Sequence, residues 1–152
     1  MNYLELQIAT AGEYPAEAQF QCWLDAALAG REQDSEVVIR LVDEAESADL
    51  NQQYRHKSGP TNILSFPFEA PPGVDMDLLG DLVICAPLIV KEAAEQHKAV
   101  EQHWAHITVH GVLHLLGYDH IEEQEAERME ALEIAILQTL NIANPYLEES
   151  TP

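Results

Sequence analysis

The stretch WAHITVHGVLHLL, residues 104–116, constrains the fold of this chain most strongly. If it forms a helix, apolar side chains cover nearly every side of that helix, and such a helix is stable only when the rest of the protein surrounds it. Gly117 follows, where a glycine readily takes the left-handed conformation that ends a helix. The sequence therefore predicts a helix in the core that ends at Gly117.

Shorter patterns on both sides of this helix predict further strands and helices. Residues 3–9 alternate apolar and polar side chains, which is typical of a strand with one buried face. Pro67 lacks the N–H donor of a sheet ladder, so we expect its strand at an edge. Asp43 and Pro87 stand where each would begin a helix well. The predicted strands are 3–9, 36–43, 62–68 and 78–85, and the other predicted helices are 18–29, 44–54, 87–98 and a last one after the loop 118–121.

Three histidines in HGVLHLLGYDH, residues 110–120, have the spacing of ligands to one metal ion. His110 and His114 would lie one above the other on one helical face, because a helix turns about 100° per residue. Gly117 would let the chain turn back and bring His120 in as a third ligand. His106 is a weaker candidate, since it lies about 12 Å along the helix axis from His114, so we expect it upstream or behind the ligands.

The chemistry of this site has alternatives. A single histidine on an apolar helix is more often a core residue bonded to a backbone carbonyl, but three at this spacing favour a metal. Three imidazoles with an open position are typical of catalytic zinc, although nickel, iron and copper also accept imidazole. Zinc peptidases with this spacing carry a glutamate after the first histidine, where this chain has Gly111. That difference argues against peptide hydrolysis and is compatible with phosphodiester cleavage, for which Asp119 is a candidate base.

The charge of the chain limits its partners. Seven Lys and Arg residues oppose 27 Asp and Glu residues, a net charge of −20, which repels nucleic-acid backbones and anionic membranes at long range. RNA binding therefore needs a local basic site, and Arg55 with Lys57 is the candidate. The alternative is that these cations only complement the dipole at the end of a helix. An edge strand at 65–67 could line a substrate cleft or supply core aromatics.

Two further expectations concern solvent and compartment. The last helix is predicted to carry a solvated acidic face, formed by Glu122, Glu123, Glu125, Glu127, Glu130 and Glu133. Cys22 and Cys85 both stand in apolar stretches and are expected to be buried and unpaired. With no signal-peptide pattern and no apolar run of about 20 residues, the expected location is a reducing cytoplasm, away from membranes.

Three sequence blocks together resemble the bacterial YbeY family of metal-dependent endoribonucleases, also called rRNA maturation factors. The blocks are YRHKSGPTNILSFPFE (54–69), LLGDLVIC (78–85) and HGVLHLLGYDH (110–120). The resemblance implies an α+β fold in a single domain, residues 1–152, with a small mixed sheet of about four strands, about five helices and a metzincin-like metal-binding helix. It also implies one zinc ion held by His110, His114 and His120, and a catalytic role for Arg55.

The resemblance further implies cleavage of single-stranded RNA in rRNA maturation, including processing of the 16S rRNA 3′ end, and a part in ribosome quality control. Ribosomal RNA is then the expected partner, with small-subunit proteins or an assembly GTPase as possible others, and DNA is not expected. Two alternatives stay open: a metallopeptidase-like hydrolase that uses another base, and a noncatalytic assembly factor in which the metal is structural.

Overall fold

A four-stranded mixed sheet forms the centre of the molecule, for which a computed structural model describes residues 1–73, 77–118 and 122–146. The strand order is β1-β2-β4-β3, with β1, β2 and β4 parallel and β3 antiparallel to β4. The strands are β1 (Asn2–Ile8), β2 (Ser35–Val42), β3 (Ile63–Pro67) and β4 (Leu78–Cys85). All four predicted strands are present, and β3 lies at the edge that Pro67 requires.

Five helices pack with this sheet in the described part of the chain, so the predicted α+β fold is confirmed. They are α1 (Glu17–Ala27), α2 (Glu44–Arg55), α3 (Ala86–Glu95), α4 (Val100–Leu115) and α5 (Glu123–Thr139). None of the helices within 1–73, 77–118 and 122–146 is long and apolar enough to cross a membrane.

Helix α4 lies in the core, as its sequence predicts. Ten of its residues are buried, and Trp104 packs edge-to-face on Phe20 of α1 with ring centroids 5.7 Å apart. Two turns later, at Gly111, α4 meets β3 and β4 at Ile63 and Leu82. The histidines of α4 are therefore held on a helix that is fixed on several sides.

Side-chain hydrogen bonds fix both ends of α2. Asp43 caps the first turn of α2 by accepting from the Glu46 N–H at 2.9 Å, as predicted. The Asn51 side chain donates to the Gly59 carbonyl at 2.9 Å, which ties the following loop back to the helix. His56, in the left-handed conformation with φ 56°, ends the helix directly after Arg55. This arrangement gives Arg55 a fixed backbone position.

Gly80 allows β3 and β4 to approach each other closely. Gly80 pairs with Pro67 and has φ +148°, and a Cβ atom added there would lie 2.3 Å from the Phe66 carbonyl oxygen. Only glycine fits such a contact, because the neighbour is backbone and cannot move aside.

The prediction that both cysteines are buried is correct for Cys85 and wrong for Cys22. Cys85 is buried, whereas Cys22 is exposed on α1. Cys22 lies between core residues in sequence, but the turn of the helix carries it to the solvent side.

Candidate metal centre and adjoining cleft

Two histidines of α4 face each other through their Nε2 atoms. His110 Nε2 lies 3.1 Å from His114 Nε2, and both side chains are half-buried. Two imidazole nitrogens bound to one tetrahedral zinc at about 2.0–2.1 Å lie about 3.3 Å apart, close to this separation. The predicted pairing of these histidines is thus present geometrically. His120, the third predicted ligand, and Asp119 lie outside the described residues.

Behind His110, Glu133 of α5 forms a buried carboxylate centre. Its side chain is fully buried. One oxygen accepts from His110 Nδ1 at 2.5 Å. The other accepts from His106 Nε2 at 3.0 Å and from the Tyr146 hydroxyl. Burial alone would raise the pKa of Glu133, but the hydrogen bonds from His106, His110 and Tyr146 outweigh it and lower the pKa to about 2.

The position of Glu133 corrects the predicted solvated face of the last helix. Glu122, Glu123, Glu125, Glu127 and Glu130 are exposed as expected, but Glu133 is not. It lies four residues after Met129 and four before Leu137, and both of these are buried. Residues four apart share a helical face, so this spacing is the signal that would have placed Glu133 with the core.

His106, His110 and Glu133 form a candidate metal site, because ligand atoms of the three lie within 4.8 Å of one another. His110 also faces His114, so it belongs to two possible donor groups. Imidazole nitrogen with carboxylate oxygen suits a divalent transition metal and is compatible with zinc. The residues present therefore fit such an ion, whichever donor group holds it.

A cleft of about 530 Å³ opens beside His110 and His114. It is lined by Tyr54, Arg55, Thr61, Asn62, Ile63, Leu64, Ser65, Phe66, His110 and His114. Arg55 and the two histidines thus line one cavity. Among the described lining residues there is no aspartate or glutamate, although the whole chain has 27 of them. Locally, the cleft is therefore suited to an anion in spite of the net charge.

Most of the chain matches the model of one known protein family. Residues 7–141 match the family model described as Endoribonuclease YbeY. The chain belongs to the YbeY family. It also resembles TM1509 from Thermotoga maritima, known from a solution structure, with a TM-score of 0.57 and 24% identity over 97% of this chain and 99% of that one. At that identity, the likeness to TM1509 supports the fold alone.

In this YbeY-family chain, Gly111 lies at a close contact between α4 and the sheet. A Cβ atom added to Gly111 would lie 2.6 Å from Ile63 Cδ1 and 2.9 Å from Leu82 Cδ2. A glutamate at this position would therefore be driven into buried apolar side chains. Gly111 therefore lets α4 pack directly against Ile63 and Leu82, and any side chain at this position must displace them.

Two aromatic side chains border the cleft near Arg55. Tyr54 is 62% exposed and packs edge-to-face on Phe66, with ring centroids 5.0 Å apart and an interplanar angle of 71°. Phe66 lies on edge strand β3 and is half-buried. Phe66 lines the cleft and also packs against the buried cluster of Val42, Leu64, Val83 and Cys85, so both sequence interpretations of this strand apply to it.

A buried histidine, His103, supports the cleft from behind. His103 Nε2 lies 2.9 Å from Glu92 of α3, and Asn62, a lining residue, donates to the same carboxylate at 3.2 Å. Burial lowers the pKa of His103, although its hydrogen bond to Glu92 acts in the opposite direction. His103 therefore ties α3 to α4 and fixes Asn62 at the start of β3.

Proposed function

We propose that this protein is a metal-dependent endoribonuclease that cleaves single-stranded RNA during rRNA maturation, including the 16S rRNA 3′ end, with a part in ribosome quality control. Membership of the YbeY endoribonuclease family supports the reaction class. The observation that carries the proposal for this chain is the shared cavity: Arg55 and the facing pair His110 and His114 line one cleft, and its described lining residues include no aspartate or glutamate.

The ion would be held by His110 and His114, with His120 as the third ligand. Zinc is the favoured ion, and nickel and iron are alternatives, because all three accept imidazole nitrogen. When bound, the ion would supply Lewis-acid stabilisation of the negative charge that develops on the phosphate during cleavage. The chain's contribution is to fix the imidazoles on a buried helix, so that little rearrangement is needed when the ion binds.

Arg55 would bind a phosphate of the substrate beside this ion. Its guanidinium can donate two parallel hydrogen bonds to phosphate oxygens. Because the chain as a whole repels polyanions, productive binding depends on this local charge. Arg55 would also stabilise the transition state of cleavage, because negative charge builds up on the phosphate oxygens as the phosphodiester bond breaks.

The preference for single strands follows from the aromatic border of the cleft. Tyr54 and Phe66 offer faces and edges on which an unpaired base can stack, whereas bases inside a duplex are already stacked on each other. A cleft of about 530 Å³ has the size of a small-ligand site and admits part of one strand.

Ribosomal RNA is the proposed partner, with small-subunit proteins or an assembly GTPase as additional partners, in the cytoplasm. The acid-rich exposed face of α5 lies apart from the cleft lining and is available to proteins. No role at membranes or on DNA is proposed.

The test is cleavage of a labelled, unstructured RNA oligonucleotide by the protein loaded with zinc, nickel or iron(II). We expect cleavage of the single strand, little cleavage of the same sequence as a duplex or as DNA, and loss of activity after chelation. Casein serves as the peptidase control. Zinc-loaded protein that cleaves casein and leaves RNA intact would contradict the proposal. Metal-free variants that fold and still support ribosome maturation in a deletion strain would favour the noncatalytic assembly factor.

A further inference from the structure

We infer that Glu133 is a positioning residue for the metal centre and not a ligand, and that Tyr146 and His106 hold its carboxylate in place. Glu133 would keep His110 in the tautomer that carries its proton on Nδ1, which leaves the Nε2 lone pair directed toward His114. The inference rests on the proposed ion between His110 and His114, but it makes no use of the RNA substrate.

The first argument is the orientation of the His110 ring. Its Nδ1 lies 2.5 Å from one Glu133 oxygen, while its Nε2 lies 3.1 Å from His114 Nε2. An ionised carboxylate can only accept a hydrogen bond, so Nδ1 must be the donor, and the neutral ring that binds a metal then has its lone pair on Nε2. A histidine ligand whose other ring nitrogen donates to a carboxylate is fixed in both tautomer and rotation.

The second argument is that both oxygens of Glu133 are already occupied by hydrogen bonds. The second oxygen accepts from His106 Nε2 at 3.0 Å and from the Tyr146 hydroxyl. Zinc would need oxygen and nitrogen ligands at about 2.0–2.2 Å, and an ion among His106, His110 and Glu133 would displace the hydrogen bonds of a carboxylate that is itself fully buried. The geometry therefore favours a hydrogen-bonded support behind the ligands.

The third argument concerns Tyr146, which extends the site beyond residues 7–141, the part matched by the family model. The segment after α5 returns toward the start of α4, where Lys98 Nζ donates to the Pro145 carbonyl at 3.1 Å, and within the segment the Tyr146 N–H donates to the Asn144 side chain at 2.8 Å. The Tyr146 ring packs edge-to-face on His106 with centroids 5.4 Å apart. A residue near the end of the described chain thus joins the support of the metal centre.

The consequence is a graded effect on metal affinity. Loss of a partner that orients a ligand typically weakens metal binding by about 10- to 100-fold, whereas loss of a ligand weakens it far more. Glu133→Leu removes both acceptors and should fall in the first range. Glu133→Gln keeps one acceptor and should recover most of the affinity, and Tyr146→Phe should lose only a few-fold.

The experiment measures zinc affinity by competition with a chromophoric chelator for the full chain and these three variants. Glu127→Leu is the matched control, since Glu127 is exposed on the same helix six residues earlier. The second readout is the 15N NMR shift pattern of His110 in metal-free and zinc-loaded protein. We expect the Nδ1–H tautomer in the wild type, a mixture in Glu133→Leu, a partial shift in Tyr146→Phe and no change in Glu127→Leu.

Three results would overturn the inference. One is equal, near-complete loss of zinc in Glu133→Gln and Glu133→Leu, as expected of a ligand. Another is abolished zinc binding in His106→Asn with His114→Ala unaffected, which would place the ion among His106, His110 and Glu133. The third is an unchanged His110 tautomer in Tyr146→Phe and in whichever Glu133 variant folds. A failure to cleave RNA would contradict the proposed function and leave these measurements unaffected.

Discussion

The Nε2 atoms of His110 and His114 lie 3.1 Å apart on one face of α4. Helical geometry brings the two side chains to the same face, because residues four apart are neighbours there. Core packing then holds this face toward the cleft, since Val109, Val112 and Leu113 anchor the other sides of α4. A single ion can be shared by these two nitrogens only if both rings keep this orientation.

The first prediction is that His114→Ala loses metal and RNA cleavage together. One of the two facing nitrogens is removed, so zinc affinity should fall by orders of magnitude, while the fold survives because His114 is only half-buried. On the same sample, elemental analysis measures the zinc content, circular dichroism checks the fold, and a cleavage assay measures the activity on RNA. Full zinc occupancy in a folded His114→Ala protein would show that the ion is held elsewhere.

The second prediction concerns the contact between α4 and the sheet. Gly111→Glu should destabilise the fold severely and create no peptidase, because its side chain would enter space filled by Ile63 and Leu82. Gly111→Ala should cost up to about 2 kcal/mol of unfolding free energy, since overpacking of about 1–3 kcal/mol is offset by about 1 kcal/mol of helix propensity.

Gln102→Glu is the control for this second prediction, because it adds the same carboxylate to α4 at an exposed position. Chemical denaturation of the three variants measures the free energies. A Gly111→Glu protein as stable as Gln102→Glu would refute the packing explanation, and chelator-sensitive casein cleavage by it would also refute the argument against a peptidase.

The third prediction is that Tyr54→Ala weakens binding of single-stranded RNA. Stacking of one base on an aromatic ring is worth about 1–3 kcal/mol, so KM should rise by roughly 5- to 150-fold with zinc content unchanged. Tyr54→Phe keeps the ring and should retain most of the affinity. Tyr3 is 49% exposed on β1, away from the cleft, so Tyr3→Ala is the matched control. Equal KM values for Tyr54→Ala and Tyr3→Ala would remove the stacking role.

Much of this fold is predictable from the sequence because its signals are local. The alternation in β1, the cap at Asp43 and the missing donor of Pro67 each depend on a few neighbouring residues. The same is true of the pair His110 and His114, which one helix brings together. Arg55 comes from a different helix, and its presence in the same cavity was anticipated only through the family resemblance.

The features that the sequence does not predict are those that depend on tertiary contacts between distant segments. The acidic composition of α5 predicts a solvated Glu133, whereas its position four residues from both Met129 and Leu137 predicts burial, and the structure follows the second signal. The close approach at Gly111 depends on Ile63 and Leu82, which are remote in sequence. Tyr146 reaches Glu133 only after the chain has folded back past Lys98.

The last prediction separates substrate binding from metal binding at Arg55. Arg55 is exposed and lines the cleft, whereas Lys57, two residues later, is exposed and is not among the lining residues. If Arg55 binds a phosphate, Arg55→Glu should abolish RNA cleavage with zinc content and melting temperature nearly unchanged, because it inverts the charge where the backbone approaches.

Arg55→Lys should be intermediate, since it keeps the charge but loses the bidentate fork. The alternative role, a cation at the C-terminal end of α2, predicts a different result. Arg55→Glu would then cost about 0.3–1 kcal/mol of stability through the helix dipole and leave the cleavage rate per folded molecule unchanged. Lys57→Glu reverses the same charge outside the cleft and controls for long-range repulsion of RNA. Single-turnover cleavage by Arg55→Glu at the rate of Lys57→Glu would therefore exclude Arg55 from the active site.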